Sequence, residues 1–347
     1  MAQAILVLGM HRSGTSALTR ILSLCGASLP RHLIEPAMQN NEAGFWEPGE
    51  IVALHDEILA AAGSSWHDPR RFPAAWFDSA AAAPFEDRLA RLIEAEFGAA
   101  PLIVMKDPRL CRMLPLWRRV LARLKIEPLA VIAIRHPQEV AASLQKRDGF
   151  GDGIALLLWL GHFLAAEHES RDLRRCFVTY DQLLTDGPGV AERIGHTLAL
   201  PWPHPPQQAA PEIAAFLSGA LRHHILGDVS LLARPDLPRQ IIETYRWALQ
   251  AASGEAPPAT ILDEIRDEID RAEPLFAPAI DALNAQAQHQ SAELRRWIDV
   301  AVERYTMIER LFADIGVLQA RIEVLSAAVT DTTPGGGASR SETSTEC

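Results

Sequence analysis

An α/β fold is what this sequence predicts: a parallel sheet covered by helices on both faces, with an α-helical C-terminal extension. Three observations predict it. Short apolar runs alternate with helical patterns over the first 200 residues, a glycine turn joins the first run to the first helix, and strand candidates cease beyond Leu200. Continuous apolar strands separated by helices indicate a sheet buried on both sides. Ligands of such sheets bind beyond the carboxyl ends of the strands.

The elements follow in order. "AILVL" (4–8) reads as a buried strand and Ser16–Leu24 as the helix after it. "PLIVM" (101–105) is a second strand, followed by a helix over Leu114–Leu124. "LAVIAI" (129–134) is a third, followed by helices over Glu139–Lys146 and Ala155–Ser170, and "CFVTY" (176–180) is a fourth. "PWPHPP" (201–206) is a proline-rich break, and helical segments follow it. The organisation read from this is a P-loop-type domain over 1–230, a helical extension over 231–297, an amphipathic helix or coiled coil over 298–330 and a disordered tail over 331–347. The tail, "TTPGGGASRSETSTEC", is too polar and too rich in Gly and Ser to build a core.

Ile308, Leu311, Ile315, Leu318, Ile322, Leu325 and Val329 alternate steps of three and four, which is a heptad seam. Arg310, Arg321, Glu309 and Glu323 lie beside it, Gly316 weakens it, and Met307 and Phe312 widen it. Two readings stay open: a homodimer through 298–330, or an amphipathic helix packed on its own domain.

Composition narrows the function classes. With 347 residues, 48% of them hydrophobic, the chain can bury a large core, and a net charge of −11 argues against a nucleic-acid partner held by general electrostatics. Cys25, Cys111, Cys176 and Cys347 have neither metal-ligand spacing nor the density of a disulfide framework. No apolar stretch reaches 18 residues, so no transmembrane segment is expected and the expected compartment is the cytoplasm.

The chemistry starts at "LVLGMHRSGTSALTRIL" (6–22). Gly9 and Gly14 have the spacing of a phosphate-binding P-loop, but Thr15 stands where the lysine belongs, Ser16 follows it, and Arg12 lies inside the loop. A glycine turn opening a helix offers backbone N–H groups and a favourable dipole to an anion. Ser13, Thr15 and Ser16 add hydroxyl donors, and Arg12 adds a charged fork. A magnesium-dependent NTPase would need a carboxylate ending a neighbouring strand. Here the neighbouring strands end in Lys106-Asp107 and Arg135-His136, so basic residues dominate and no metal is expected. A second cluster, "RHPQEVAASLQKR" (135–147), sets Arg135 at a strand end and Ser143 and Arg147 one helical turn apart, and reads as a second phosphate site or, taken alone, as a solvated basic helix. A third, "MKDPRLCR", places Lys106, Arg109 and Arg112 after another strand end, and alone it also reads as a salt-bridged loop.

Together the three clusters resemble the sulfotransferase superfamily, in its bacterial and tyrosylprotein-type branch. The first is similar to the family's loop for the 5′-phosphosulfate of 3′-phosphoadenosine 5′-phosphosulfate (PAPS), in the form R-S-G-T-[ST], where arginine replaces the lysine of cytosolic members. Arg135, Ser143 and Arg147 resemble the 3′-phosphate motif. "KDP" and a basic residue resemble the segment whose lysine, here Lys106, supports the transferring sulfuryl group. "VTYDQLL" (178–184) is similar to the family's Y-[ED]-x-L stretch. The resemblance runs over about residues 4–230; the glycine-rich basic motif that cytosolic members carry near the C-terminus is absent, with "LRHH" (221–224) a candidate substitute.

The resemblance implies in-line transfer from PAPS to a hydroxyl acceptor, a glycan or small molecule. Arg12 and the Gly14 and Thr15 amides would stabilise the leaving oxygen, and Lys106 the sulfuryl group. A glutamate of "NNEAGFWEPGEIVALHDEIL" (40–59) would be the base. Glu42, Glu47, Glu50 and His55 are the candidates, and Glu47 is favoured because the flanking Phe45-Trp46 would desolvate it and raise its pKa. His11 and His136 read as structural. Trp46, Trp66, Trp76 and Phe45 read as core, or as a platform for adenine or a sugar. The competing reading is a P-loop kinase-like or nucleotide-binding interaction protein that assembles through its C-terminal helices.

Overall fold

Strand β1 (Ala2–Leu8) buries side chains on both sides, which is why its sequence is an unbroken apolar run. Ala4, Leu6 and Leu8 enter one core, whereas Ile5 and Val7 enter the other. β2 (Leu102–Lys106) and β3 (Ile126–Ile134) divide their residues in the same way. With β4 (Arg175–Thr179) they form a parallel sheet of order β2-β1-β3-β4. This is a computed structural model, describing residues 2–36, 44–220 and 237–331.

One core packs helices α1 (Thr15–Leu24), α8 (Gly187–Thr197) and α9 (Pro206–Ala220) on the sheet. The other takes α2 (Gly49–Ala61), α3 (Ala83–Phe97), α4 (Leu110–Arg123), α5 (Pro137–Asp148) and α6 (Asp152–Glu169). A short helix α7 (Tyr180–Thr185) follows β4 and begins with a capping box between Thr179 and Gln182. The doubly covered parallel sheet is the one expected.

The boundary read at residue 230 lies outside the described residues. Beyond it, α10 (Arg239–Ala252) buries Ile241, Tyr245, Trp247 and Ala248 in the second core, and Leu262 and Ile265 of α11 (Ala259–Asp331) join them. The first compact unit therefore extends to Ala277, and the described residues from Pro278 onward belong to a second. "LRHH" and the tail from Thr332 onward also fall outside the described residues.

Register aligns the strand ends. Val7 lies beside Lys106 and Val131, and Ile134 beside Thr179. The segments that start at Gly9, Asp107, Arg135 and Tyr180 consequently leave the sheet at one edge. The strand order also reverses there, between β1 and β3, where a parallel sheet opens a crevice for ligands.

Candidate active site

The turn after β1 is built on backbone that only glycine adopts easily. Gly9 has φ 142°, and a Cβ there would meet the Ala133 carbonyl oxygen at 2.7 Å. Its N–H donates to Cys111 Sγ at 3.0 Å, which ties the turn to α4. Gly14 has φ 84°, and a Cβ there would lie 2.3 Å from the Tyr180 ring. Arg12 itself holds φ 70°, a sparsely populated conformation for a side-chain-bearing residue. The first bond at the start of α1 runs from Leu18 N–H to the Gly14 carbonyl at 3.0 Å, so the amides of Gly14 and Thr15 lie ahead of it. Its N-cap residue is Gly14, which has no side chain to close the helix. Ser13 Oγ is buried and has no partner among the described residues. A buried hydroxyl beside a helix that opens on a glycine suits a ligand that supplies acceptor oxygens, as a phosphate does.

The second cluster converges on this turn. Arg12 Nε donates to Ser143 Oγ at 2.8 Å, and Arg135 donates from its guanidinium to the Arg12 carbonyl at 3.0 Å. Arg135 is braced by Glu139 at 2.8 Å and lies 4.6 Å over the Tyr180 ring. Arg147 pairs with Asp148 at 2.8 Å and lies 5.3 Å over Trp66. Burial, followed by the nearby charges of Arg147 and Arg135, pushes the Arg12 guanidinium below its ordinary pKa. A concentration of positive charge that perturbs its own members is what a polyanion site requires. Tyr180 is the residue that sequence reasoning left without a role. It is the ring on which both Gly14 and Arg135 pack, and the signal for it was the Y-D-x-L stretch itself.

The third cluster divides. Lys106 is buried and donates from Nζ to Ser16 Oγ and the Phe45 carbonyl, each at 3.0 Å, and to Glu47 Oε1. Arg109 turns away, bridging Asp56 at 2.6 Å and Asp107 at 3.0 Å. Arg112 donates to the carbonyls of Ser65 at 2.6 Å and Arg70 at 2.9 Å, clamping the 64–70 segment onto α4. Of the three basic residues, only Lys106 faces the glycine turn.

Glu47 stands apart from the other base candidates. Its backbone is fixed by a bridge between Leu33 and Pro48 and by the Ile34 N–H, which donates to the Glu47 carbonyl at 2.8 Å. Burial pushes its carboxyl above the ordinary value, against the pull of Lys106. Glu50 is exposed in the first turn of α2, and Glu42 lies outside the described residues. His55 is held in the core. Its Nδ1 is 2.7 Å from Asp107 Oδ2, and its Nε2 accepts from Trp117 Nε1 at 2.8 Å. Because the indole only donates, Nε2 is unprotonated and Nδ1–H faces the carboxylate. A ring engaged at both nitrogens cannot take an acceptor proton. Asp107, wholly buried, is used up by His55 and Arg109. Burial alone would raise its pKa, yet Arg109 and His55 hold it far below the usual carboxylate range.

The remaining candidates pack against neighbouring elements. His11 is half-buried with its ring centroid 4.7 Å from Trp66, and desolvation of the ring, followed by the charges of Arg109 and Arg147, pushes its pKa well below the ordinary imidazole value. His136 caps α5, its Nδ1 accepting from Gln138 N–H at 3.3 Å. Trp76 packs among Phe72, Phe77 and Phe85, and Trp46 lies under Arg20. Of the aromatic residues weighed as a ligand platform, Trp66 is the one that touches the arginine cluster.

No curated protein matches the sequence significantly. Among solved structures, the chain is similar to a sulfotransferase domain of the curacin biosynthetic pathway, at 17% identity and a TM-score of 0.42, over 74% of this chain and 99% of that one. It is similar to a sulfotransferase domain of a Synechococcus olefin synthase, at 17% identity and a TM-score of 0.39, over 78% and 95%. Retinol dehydratase, solved with androsterone and the inactive cofactor PAP, matches at 13% identity and a TM-score of 0.37, over 73% and 82%. The assignment rests instead on the family model described as "Sulfotransferase family", which matches residues 4–204, from β1 to beyond α8. The chain belongs to the sulfotransferase family, whose members are PAPS-dependent transferases.

Proposed function

We propose that this enzyme transfers a sulfuryl group from PAPS to a hydroxyl of a glycan or small molecule, with Arg12, Lys106 and Glu47 as its catalytic residues. The observation that carries the reading is the contact between Arg12 and Ser143. It joins the glycine turn, a site for one phosphate, to the Arg135–Arg147 helix, a site for a second. A nucleotide with phosphates at both 3′ and 5′ positions matches two adjoining anion sites, whereas a 5′-triphosphate leaves the second without a purpose.

PAPS supplies the sulfuryl group on a stable leaving group, adenosine 3′,5′-bisphosphate. In an in-line displacement the acceptor oxygen bonds to sulfur as the bridging oxygen–sulfur bond breaks, and the acceptor proton passes to Glu47. Arg12 and the amides of Gly14 and Thr15 hold the charge that develops on the leaving oxygen. Ser13, Thr15 and Ser16 complete the 5′ side, and Arg135, Ser143 and Arg147 hold the 3′-phosphate. Lys106 balances the sulfuryl oxygens. Its ion pair with Glu47 keeps the base beside the position the sulfuryl group would take. A buried carboxylate with a raised pKa is a better base toward an alcohol than a solvated one.

The test is transfer of labelled sulfate from PAPS to a panel of glycan and small-molecule alcohols. Label in a hydroxyl-bearing product, lost in Lys106→Ala, supports the reading. Absence of transfer to every class, with ATP and magnesium bound instead, would favour the kinase-like or nucleotide-binding alternative.

A further inference from the structure

Helix α11 carries an apolar seam that nothing among the described residues covers. Ile308, Leu311, Ile315, Leu318, Ile322 and Leu325 are each between 48% and 62% exposed, although they are large and apolar and follow unbroken steps of three and four. A run of that kind left in water marks an interaction surface.

The order of residue types in the seam says what covers it. Written as a heptad, the seam places isoleucine at every a position and leucine at every d position from 308 to 325. β-Branched residues at a with leucine at d select two parallel strands, because each side chain then points into the opposing layer in a favoured rotamer. An identical helix provides the same layers in the same register. Its flanks are compatible as well. In a parallel pair, a g residue faces the e residue five positions further along the other helix. Asp314 would then face Gln319, and Arg321 would face Ser326, so no like charges meet. Met307 would face Phe312, which turns the two residues that widen the stripe into a contact between helices. Gly316 falls at the outward b position, with nothing near it, and so makes no hole in the seam. Arg304, at the preceding d position, sets the N-terminal limit, since two guanidiniums would oppose each other there.

We infer that residues 308–325 form a parallel, two-stranded coiled coil between two copies of this chain. The seam spans about 27 Å at 1.5 Å per residue, so the association is weak and concentration-dependent.

Sedimentation of the full chain over a wide concentration range should show a monomer–dimer equilibrium. Leu318→Glu should abolish the dimer while leaving the affinity for adenosine 3′,5′-bisphosphate unchanged, which reports an intact catalytic unit. Orientation is read from Leu318→Cys in a Cys347→Ser background, where Cys25, Cys111 and Cys176 are buried. Oxidation should join the two copies through residue 318, which faces itself only in a parallel pair. A monomer at every concentration, a trimer or tetramer, a dimer that survives Leu318→Glu, or a dimer that fails to cross-link at 318 would each overturn the proposal.

Discussion

Arg12 Nε and Ser143 Oγ lie 2.8 Å apart although 131 residues separate them in the chain. The bond ties the turn after β1 to α5 and fixes the guanidinium that serves both halves of the proposed nucleotide site. Removing either partner should therefore be felt at both phosphates. Arg12→Ala is expected to weaken bisphosphate binding by about 1.5–3 kcal/mol, the range for a charged hydrogen bond, and to lower kcat as well. Ser143→Ala should cost less. The double variant should fall short of the sum by roughly 0.5–3 kcal/mol, because the two residues share one interaction. Titration calorimetry on the four proteins measures this, and strict additivity would count against a shared site.

Glu47→Gln should lower kcat roughly a hundred- to ten-thousandfold, the usual contribution of a general base, and leave bisphosphate affinity nearly unchanged. The pH profile carries a second signature. Burial favours the protonated carboxyl, and a base works only when deprotonated. Activity should therefore climb with rising pH through a midpoint above the ordinary glutamate value of about 4.3. That limb should vanish in Glu47→Gln. A variant with wild-type turnover would transfer the role to Glu42.

Asp107 should prove structural. Asp107→Ala leaves the Arg109 guanidinium and the His55 Nδ1–H buried beside an empty site, so a loss of about 3–5 kcal/mol of stability is expected. Chemical denaturation measures it. Because the folded-state pKa of Asp107 is depressed, its contribution is present above the unfolded aspartate value of about 3.9 and is lost as pH falls below it. A variant of wild-type stability would mean that the His55–Asp107–Arg109 network contributes nothing net.

Gly14→Ala should be destabilising on two counts, the positive φ and the collision with Tyr180. Adding Tyr180→Ala removes the collision and leaves the backbone term, about 1–3 kcal/mol. The thermal midpoint should accordingly fall less for Gly14→Ala when Tyr180 is already alanine. Equal losses in both backgrounds would show that the ring does not press on the turn.

What could be read in advance divides along physical lines. The sheet was legible because burial on both faces leaves every strand apolar, and the helix at Ser16–Leu24 needed only one residue more, Thr15. α4 starts at Leu110 rather than Leu114. Pro115 is tolerated most easily in a first turn, which places the expected start beside it, but here it lies inside the helix. The three arginines and Ser143 stood out in sequence because Arg12 lies in the glycine turn after β1, Arg135 follows β3, and Ser143 and Arg147 come after it one helical turn apart. The Glu47–Lys106 pair, the His55–Asp107–Trp117 chain and the Tyr180 ring on Gly14 were not. Each joins residues distant in sequence, and no local periodicity encodes the pairing. The partners of Arg109 and Arg112 are equally distant in sequence, although a salt-bridged loop was one of the two readings of their segment, and in the fold both are buried clamps.

The central claim is that one site holds phosphates at both the 3′ and the 5′ positions of a nucleotide, and titration calorimetry with adenosine 3′,5′-bisphosphate tests it most directly. Arg135, Ser143 and Arg147 should make the bisphosphate bind at least about tenfold more tightly than adenosine 5′-monophosphate, one charged contact being worth about 1.5–3 kcal/mol. Arg147→Ala should erase much of that difference. Equal affinities for the bisphosphate and the 5′-monophosphate would contradict the account.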